Sequence, residues 1–426
     1  MPTNATFRSG PGTCRLCGSE GLRKVLDLGD MPLADQLVKP EDVGKQDRRF
    51  ALELGWCPEC TLVQISDSPP PSVLFTDSFP YYSSVSDTFS SHARRFAGEM
   101  VAERRLGASS LVLEIASNDG YLLRHFKAAG VSVLGFDPAP GPTGKAREEG
   151  LDCRCAFFTA ELARQLADDG IQADLIAANN VLAHVPDPND LIEGVSLILK
   201  PDGLASFEFP YVVDLVAKTE FDTIYHEHHS YFSVTSIGKL LERHGMRIAG
   251  IRHLPIHGGS LRILASHADV DGARPDSEEV VQDYLRNEEA AGVDNGELFD
   301  GFAHRVALSL RWIRETLHGL KAAGHSVVAY GAAAKGAMLL NAAGIDGDIL
   351  DFVADRNPAK QGLYMPGVHV PIVPPSAIAE RRPDYVLLLS WNLAEEIFSQ
   401  QREYVEAGGR FVVPLPKPGF YPPDSV

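Results

Sequence analysis

The stretch Leu111-Val112-Leu113-Glu114-Ile115-Ala116-Ser117-Asn118-Asp119-Gly120 is a short apolar run followed by a turn of small and polar residues. A helical pattern opens directly after it, at Tyr121-Leu122-Leu123. Strands of a buried parallel sheet read as such continuous runs. A small-residue turn behind one lets a ligand reach the backbone amides of the next helix. A second apolar run, 131–137, ends in Asp137, where folds of this type bond ribose hydroxyls. Runs at 174–179 and 203–209 continue the series. Strands alternating with helical segments predict an α/β class: a mostly parallel, doubly wound, Rossmann-like sheet over residues 71–265.

The loop fits a dinucleotide or S-adenosylmethionine. Ala116, Asn118 and Asp119 crowd the positions a GxGxxG would keep open, and Glu114 inside the strand is typical of methyltransferases. A nucleoside without a pyrophosphate needs fewer glycines. The reading therefore favours S-adenosylmethionine, with Glu114, Ala116, Ser117, Asn118, Gly120, Asp137, Phe157 and Asn179 as candidate contacts. A plain strand–helix turn is the bland alternative.

Upstream, Cys14-Arg-Leu-Cys17 and Cys57-Pro-Glu-Cys60 form two identical pairs. Each places two sulfurs on one tight turn, and two such turns complete the four-thiolate set of structural zinc. Gly18 and Pro58 suit those turns. The alternatives are disulfides, disfavoured in a cytosolic chain, and a redox pair, which needs one motif and not two. Four sulfurs leave no open position for substrate, so the zinc is read as structural. Residues 1–70 are its module, with strand-like pieces at 23–28 and 62–65, and Ser66-Asp67-Ser68-Pro69-Pro70-Pro71-Ser72 as a linker. Cys153 and Cys155 read as ordinary small residues at a strand edge.

Downstream, Tyr225-His226-Glu227-His228-His229 concentrates more polar chemistry than packing explains. Histidine titrates near neutrality and tyrosine exchanges hydrogen bonds with a carbonyl oxygen, which points to proton transfer. A metal held by His226 and His228 on one strand face is the competing reading. His184, after Asn179-Asn180, follows the end of a strand, where open α/β sheets bind ligands. Tyr81-Tyr82-Ser83-Ser84 is a further polar-aromatic cluster, otherwise explained by domain packing.

Residues 266–426 are expected to form a second, smaller α/β domain. Leu298, Phe302, Val306, Leu310, Ile313, Leu317 and Leu320 recur at helical spacing, predicting one helix over 298–320. Strands follow at 327–330, 352–355 and 385–389. Gly331-Ala332-Ala333-Ala334-Lys335-Gly336 is a small-residue loop whose lysine could meet a phosphate, though it lacks the Walker spacing. A tight packing turn would look the same. His257-Gly258-Gly259-Ser260 with Arg262 either lines a cleft or joins two strands.

The chain has 426 residues, 44% of them hydrophobic, so it can bury sizeable cores and general disorder is excluded. Its net charge of −18 makes a poor binder of nucleic acid or anionic membrane. No apolar run approaches the ~20 residues that span a bilayer. The segment 1–11 lacks the basic head and apolar stretch of a secretion signal. A cytoplasmic protein is expected, and a monomer.

These segments in this order give a resemblance over nearly the whole chain. The sequence resembles the S-adenosylmethionine-dependent sugar C-methyltransferases of deoxysugar biosynthesis, which act on nucleotide-linked 4-keto-6-deoxy sugars destined for antibiotics and surface glycans. It departs at Ala116, where glycine is usual, and at Asp137-Pro138, where Glu-Pro is common. The resemblance implies one structural zinc, S-adenosylmethionine and a dTDP-linked sugar. It implies His228 as general base beside Tyr225, with Glu227, His184 and Tyr82 orienting the base or donating to the oxyanion. Tyr81, Asn180, His257, Arg262, Tyr330 and Lys335 would bind substrate. A helix at 225–228 would put Tyr225 and His228 on one face, whereas a strand would part them. Methylation at nitrogen or oxygen, a zinc-ribbon nucleotide sensor, and an NAD-dependent enzyme are the other readings.

Overall fold

The computed structural model describes residues 12–69, 82–270 and 278–423. Tyr81 and most of the 66–72 linker stretch's prolines lie outside the described residues. The chain opens with β1 (Arg23–Pro32), β2 (Arg49–Trp56) and β3 (Val63–Ile65), an antiparallel sheet. β2 was not expected; it buries Leu52 and Leu54 on one face by simple alternation.

β4 (Leu111–Ile115), β5 (Ser132–Asp137), β6 (Cys153–Cys155), β7 (Ala173–Asn179) and β8 (Leu199–Pro210) then pair in parallel, in the order β8-β7-β4-β5-β6. The chain winds outward to both sides of β4, so a crevice opens where β4 and β7 end. β6 is the edge strand of that sheet, and Cys153 is buried while Cys155 is exposed. After β8 the chain sends β9 (Ser230–Tyr231) back to the first sheet, against β3. β10 (Met246–Leu254) and β11 (Ser260–His267) return as an antiparallel hairpin that completes seven strands through a β11–β8 pairing.

The third sheet holds β12 (Val327–Tyr330), β13 (Val353–Ala354), β14 (Ile372–Val373), β15 (Tyr385–Leu388), β16 (Arg410–Val413) and β17 (Gly419–Tyr421). Its order is β14-β13-β12-β15-β16-β17, parallel except for β17. The long helix before it runs Phe302–Ala322, not from Leu298. Gly301, at φ +70°, occupies its N-cap and breaks the periodic run, leaving Leu298 in a separate short turn.

Leu54, Trp56 and Ile65 of the first sheet share one apolar core with Val212, Phe221 and Tyr225, and with Val306 and Leu339 of the third unit. Full burial of Phe221 alone contributes roughly 1.5–3 kcal/mol. The segment that carries the histidine cluster is thus wedged between the N-terminal module and the C-terminal sheet. Among the described residues no helix is long and apolar enough to cross a membrane.

Candidate active site

The four sulfurs of Cys14, Cys17, Cys57 and Cys60 all lie within 4.8 Å of one another. Each knuckle is closed by backbone bonds: the Gly18 amide donates to Cys14 O at 2.9 Å, and the Thr61 amide to Cys57 O at 2.8 Å. Gly18 takes the left-handed conformation there, and Thr61 does the same in the second turn. The set matches the tetrahedral thiolate cage of structural zinc, with no position left for a reactant.

At the end of β4 the chain bends through three left-handed residues, Ala116, Asn118 and Gly120. The Asp137 carboxylate fixes this loop, accepting the Asn118 amide at 2.9 Å and the Ala139 amide at 2.8 Å. Glu114 is buried, and burial beside Asp137 and Asp119 pushes its carboxyl well above the usual range. Glu114 Oε2, Asp119 Oδ1 and Asn179 Oδ1 are buried acceptors with no partner among the described residues. Buried acceptors normally find donors. The amino group and ribose hydroxyls of S-adenosylmethionine are such donors and would supply them, so the residues present fit that cofactor. A Cβ at Gly120 would lie 2.1 Å from Leu151 Cδ1, and the residue sits at φ +75°, so a larger residue there strains the backbone and displaces Leu151. Ser117 is buried beneath the loop, and its hydroxyl faces Cys153 Sγ at 3.8 Å. Phe157 stands half exposed just beyond β6.

Tyr82 belongs to this side of the site. Its ring lies under Lys145, while the Ser83 amide donates to Asn118 Oδ1 at 2.9 Å and Ser84 Oγ to Asp119. The Tyr82 segment therefore covers the cofactor loop.

The histidine cluster is neither helix nor strand. A turn closes it, with the His228 amide donating to Tyr225 O at 2.9 Å. That turn stacks the two rings, 4.0 Å between centroids, and sets Tyr225 Oη 2.8 Å from His228 Nε2. His228 Nδ1 lies 2.9 Å from Thr223 O, a carbonyl that can only accept. Nδ1 is therefore the protonated nitrogen, Nε2 carries the lone pair, and the Tyr225 hydroxyl donates to it. Burial lowers the His228 pKa well below the usual histidine value. His184 meets His228 edge-on at 4.6 Å and is brought down to about 4, again by burial. Glu227 is buried, and burial beside Asp35 lifts it to about 8. The Asp35 amide approaches Glu227 Oε1 at 3.5 Å, and Glu227 Oε2 has no partner among the described residues.

The other two histidines face elsewhere. His226 Nε2 donates to the backbone of β2, at Phe50 O and Ala51 O, and His229 Nδ1 meets Ser68 Oγ at 2.6 Å. His226 and His228 thus do not share a face, and the cysteine cluster is the one metal-binding set among the described residues.

Asn180, with φ +55°, is held by Glu208 through its amide nitrogen at 3.3 Å, and its Oδ1 is unpartnered among the described residues. Arg262 is committed to Glu208 Oε2 at 2.6 Å and to the Phe96 ring. His92 bonds the same carboxylate at 2.9 Å. Burial would raise Glu208, but the His92 bond and the Arg262 charge outweigh it and lower its pKa. A cavity of about 400 Å³ opens beside His92, between Thr88, Arg95, Ile256 and Glu396. His257 caps the β10–β11 hairpin, stacked on Phe89 at 4.7 Å. Tyr330 ends β12 and donates to Gln400 Oε1 at 3.3 Å. Lys335 is buried in the first turn of the helix Ala334–Ala343, with Nζ 3.3 Å from His257 O. Sequence reasoning missed Asp35 and Trp391, which carry no motif and reach Glu227 and Asp222 of the cluster from separate segments.

Family models match three parts of the chain: a zinc binding domain over 14–75, a methyltransferase domain over 89–249 and a C-methyltransferase C-terminal domain over 255–416. The C-methyltransferase NovU of Streptomyces niveus is 37% identical over 406 residues, 95% of this chain and 96% of its own. A ubiquinone biosynthesis O-methyltransferase of Colwellia psychrerythraea is 26% identical, over 34% of this chain and 66% of its own. Among solved structures, a Burkholderia thailandensis 1,6-didemethyltoxoflavin-N1-methyltransferase with bound S-adenosylhomocysteine is 19% identical. It covers 49% of this chain and 96% of its own, with a TM-score of 0.36. The zinc cage, the cofactor loop, the Tyr225–His228 turn and a relative alike from end to end all lead to one assignment: this chain belongs to the S-adenosylmethionine-dependent C-methyltransferases.

Proposed function

We propose that the acceptor is a dTDP-linked 4-keto-6-deoxy sugar and that the methylated atom is C-3. The observation that carries this reading is the lone pair on His228 Nε2, buried in a neutral ring and held by Tyr225. A carbon becomes a nucleophile only after it loses a proton, and a ketone beside it makes that loss accessible. Tyr225 Oη takes the C-3 proton as its own proton passes to His228 Nε2, so His228 is the base through the tyrosine, and the electron pair passes to the sugar's O-4. Glu227, protonated near neutrality, and His184 are candidates to bond that oxygen. The bound cofactor supplies an activated methyl on sulfur. In-line attack opposite the departing sulfur inverts the methyl carbon, and the configuration at C-3 follows from which face of the enolate meets the methyl.

Tyr82 and Phe157 would close over the cofactor. Asn180, His257 and Tyr330 would face the sugar nucleotide, with the cavity beside His92 as room for its outer part. Arg262 would act through Glu208, which orients Asn180. Residues 1–70, 71–265 and 266–426 then divide the work into zinc module, methyl-transfer domain and nucleotide-sugar domain, in a cytoplasmic monomer. The test is incubation with S-adenosylmethionine and a panel of dTDP-4-keto-6-deoxy sugars, with and without 3-amino and 2-deoxy groups. Mass spectrometry detects one added methyl and NMR locates it. A methyl on nitrogen or oxygen, or no reaction with any panel sugar, rejects the reading.

A further inference from the structure

We propose that Lys335 is a catalytic residue whose ammonium holds the sugar's O-4 while the enolate forms, and is not a phosphate ligand. The proposal rests on the ketosugar reading above. Its geometry begins with Trp391. Lys335 Nζ rides 4.7 Å above the Trp391 ring, and the indole N–H of that ring donates to Asp222 Oδ2 at 2.7 Å. Asp222 precedes Thr223, whose carbonyl takes the Nδ1 proton of His228. The helix Ala334–Ala343 packs directly on the short turn Phe221–Thr223. One indole therefore separates the ammonium from the segment that grips the base. Lys335 is also among the charges that keep His228 neutral.

The ammonium is underused. It is only 9% exposed, yet among the described residues its Nζ bonds one carbonyl and forms no ion pair. Glu220 and Asp222 lie near enough to act on it electrostatically, and each leaves one buried carboxylate oxygen unpartnered among the described residues. A buried cation with protons to spare awaits an oxygen that bears negative charge. A diphosphate is a poor candidate. It carries several charges and a hydration shell, more than one buried ammonium can offset. A single oxygen that becomes negative only during reaction suits the space. The charge also answers a chemical need, since a base as weak as a buried histidine requires a stabilised enolate.

The step balances. The C-3–H bond breaks, its proton goes to Tyr225 Oη as the hydroxyl proton moves to His228 Nε2, and the electron pair moves through the C-3–C-4 bond to O-4. Lys335 donates a hydrogen bond there and keeps its own proton. When C-3 takes the methyl group, the C-4 carbonyl re-forms and the charge on O-4 is discharged.

The test compares Lys335→Met and Lys335→Gln with the wild type in two assays. One follows deuterium entry from solvent into dTDP-4-keto-6-deoxyglucose at saturating sugar, with S-adenosylhomocysteine present. The other measures thymidine diphosphate affinity by calorimetry. The expected result is a loss of exchange of about 10²–10³-fold in both variants, with diphosphate affinity within about twofold of wild type. Unchanged exchange at saturation with a tenfold or greater loss of diphosphate affinity overturns the proposal and makes Lys335 a phosphate ligand. If the Met variant does not fold, the Gln variant, which keeps a donor without charge, decides alone. Failure of the wild type to exchange any proton rejects the ketosugar reading itself, and is visible before a variant is made.

Discussion

Tyr225 donates its hydroxyl proton to Nε2 of His228 across 2.8 Å, and the two rings stack at 4.0 Å because one backbone turn joins them. The pair is preorganised: Thr223 O fixes the tautomer, and burial keeps the ring neutral. His228→Ala is expected to lower solvent-deuterium exchange at the sugar C–H by roughly 10²–10⁴. Tyr225→Phe keeps the stack and removes the hydroxyl that relays the proton, so a loss of similar size is expected. Cofactor affinity, read by calorimetry with S-adenosylhomocysteine, should stay unchanged in both. Equal exchange rates in wild type and His228→Ala would remove His228 from the mechanism.

The same burial sets the pH profile. His228 and His184 both lie far below the usual histidine value, so the rate should show no limb near pH 6.5. Glu227 is a proton donor only while protonated, and its carboxyl sits at about 8. The rate is therefore expected to hold from pH 6 to 7.5 and fall as pH rises through about 8. Glu227→Gln, which still donates but does not ionise, should abolish that alkaline limb. A limb that persists in the Gln variant assigns it to another group.

Stability should follow a neighbouring acid in the same direction. Burial lifts Glu220 from 4.5 to about 8. A folded pKa above the unfolded one contributes stability that is fully present below the unfolded value and is lost as pH rises through the folded one. Between those limits the loss is up to about 1.4 kcal/mol per pH unit for one group. Thermal unfolding from pH 6.5 to 8.5 should show a falling midpoint, and Glu220→Gln should flatten the fall.

The parts of this site that sequence reveals are those written in consecutive residues. The run 111–120 showed strand, turn and helix because parallel-strand burial and left-handed turns select residues locally. The two CxxC pairs were equally plain. The grip on His228 was not, because Tyr225 and His228 meet through a turn, and neither helical nor strand periodicity describes one. Asp35 reaches Glu227 from the zinc module, 192 positions away, and Trp391 reaches Asp222 from 169 positions away. Such contacts are products of packing among three sheets. β2 was missed for a lesser reason: Gly44 to Arg49 reads as a polar loop, which masks the alternation that begins at Phe50.

Zinc and catalysis should be separable from cofactor binding. β3, which follows Cys60, pairs with β9, and the Ile65 amide donates to His229 O at 3.2 Å. The zinc module thus supports the strand directly after the catalytic turn. Cys57→Ser should lose the metal and, with it, most deuterium exchange, because a zinc-thiolate site supplies folding free energy of about 10 kcal/mol or more. The cofactor loop rests on the β4–β5 sheet, so S-adenosylhomocysteine affinity should fall by less than about threefold. Elemental analysis, exchange and calorimetry on one preparation decide it. Loss of cofactor binding in step with zinc would show that the module supports the whole crevice.

The cofactor loop offers two glycine exchanges with opposite signs. Ala116 sits at φ +57°, where a Cβ costs roughly 1–2 kcal/mol. Replacing it with glycine relieves that strain but loosens the unfolded chain by about 0.4–1 kcal/mol. Ala116→Gly is therefore expected to raise stability by up to about 1 kcal/mol, or leave it unchanged, with equal or tighter cofactor binding. Gly120 sits at φ +75° with Leu151 and Ala146 packed against it, so the added methyl of Gly120→Ala must displace Leu151 and has no favourable backbone. That variant should lose at least 2 kcal/mol and weaken S-adenosylhomocysteine more than tenfold, from overpacking of roughly 1–3 kcal/mol added to the backbone strain. Denaturant midpoints and calorimetric titrations of the two variants give the comparison. If Gly120→Ala binds as wild type does, the loop is not shaped by the cofactor, and the three unpartnered acceptors around it need another donor.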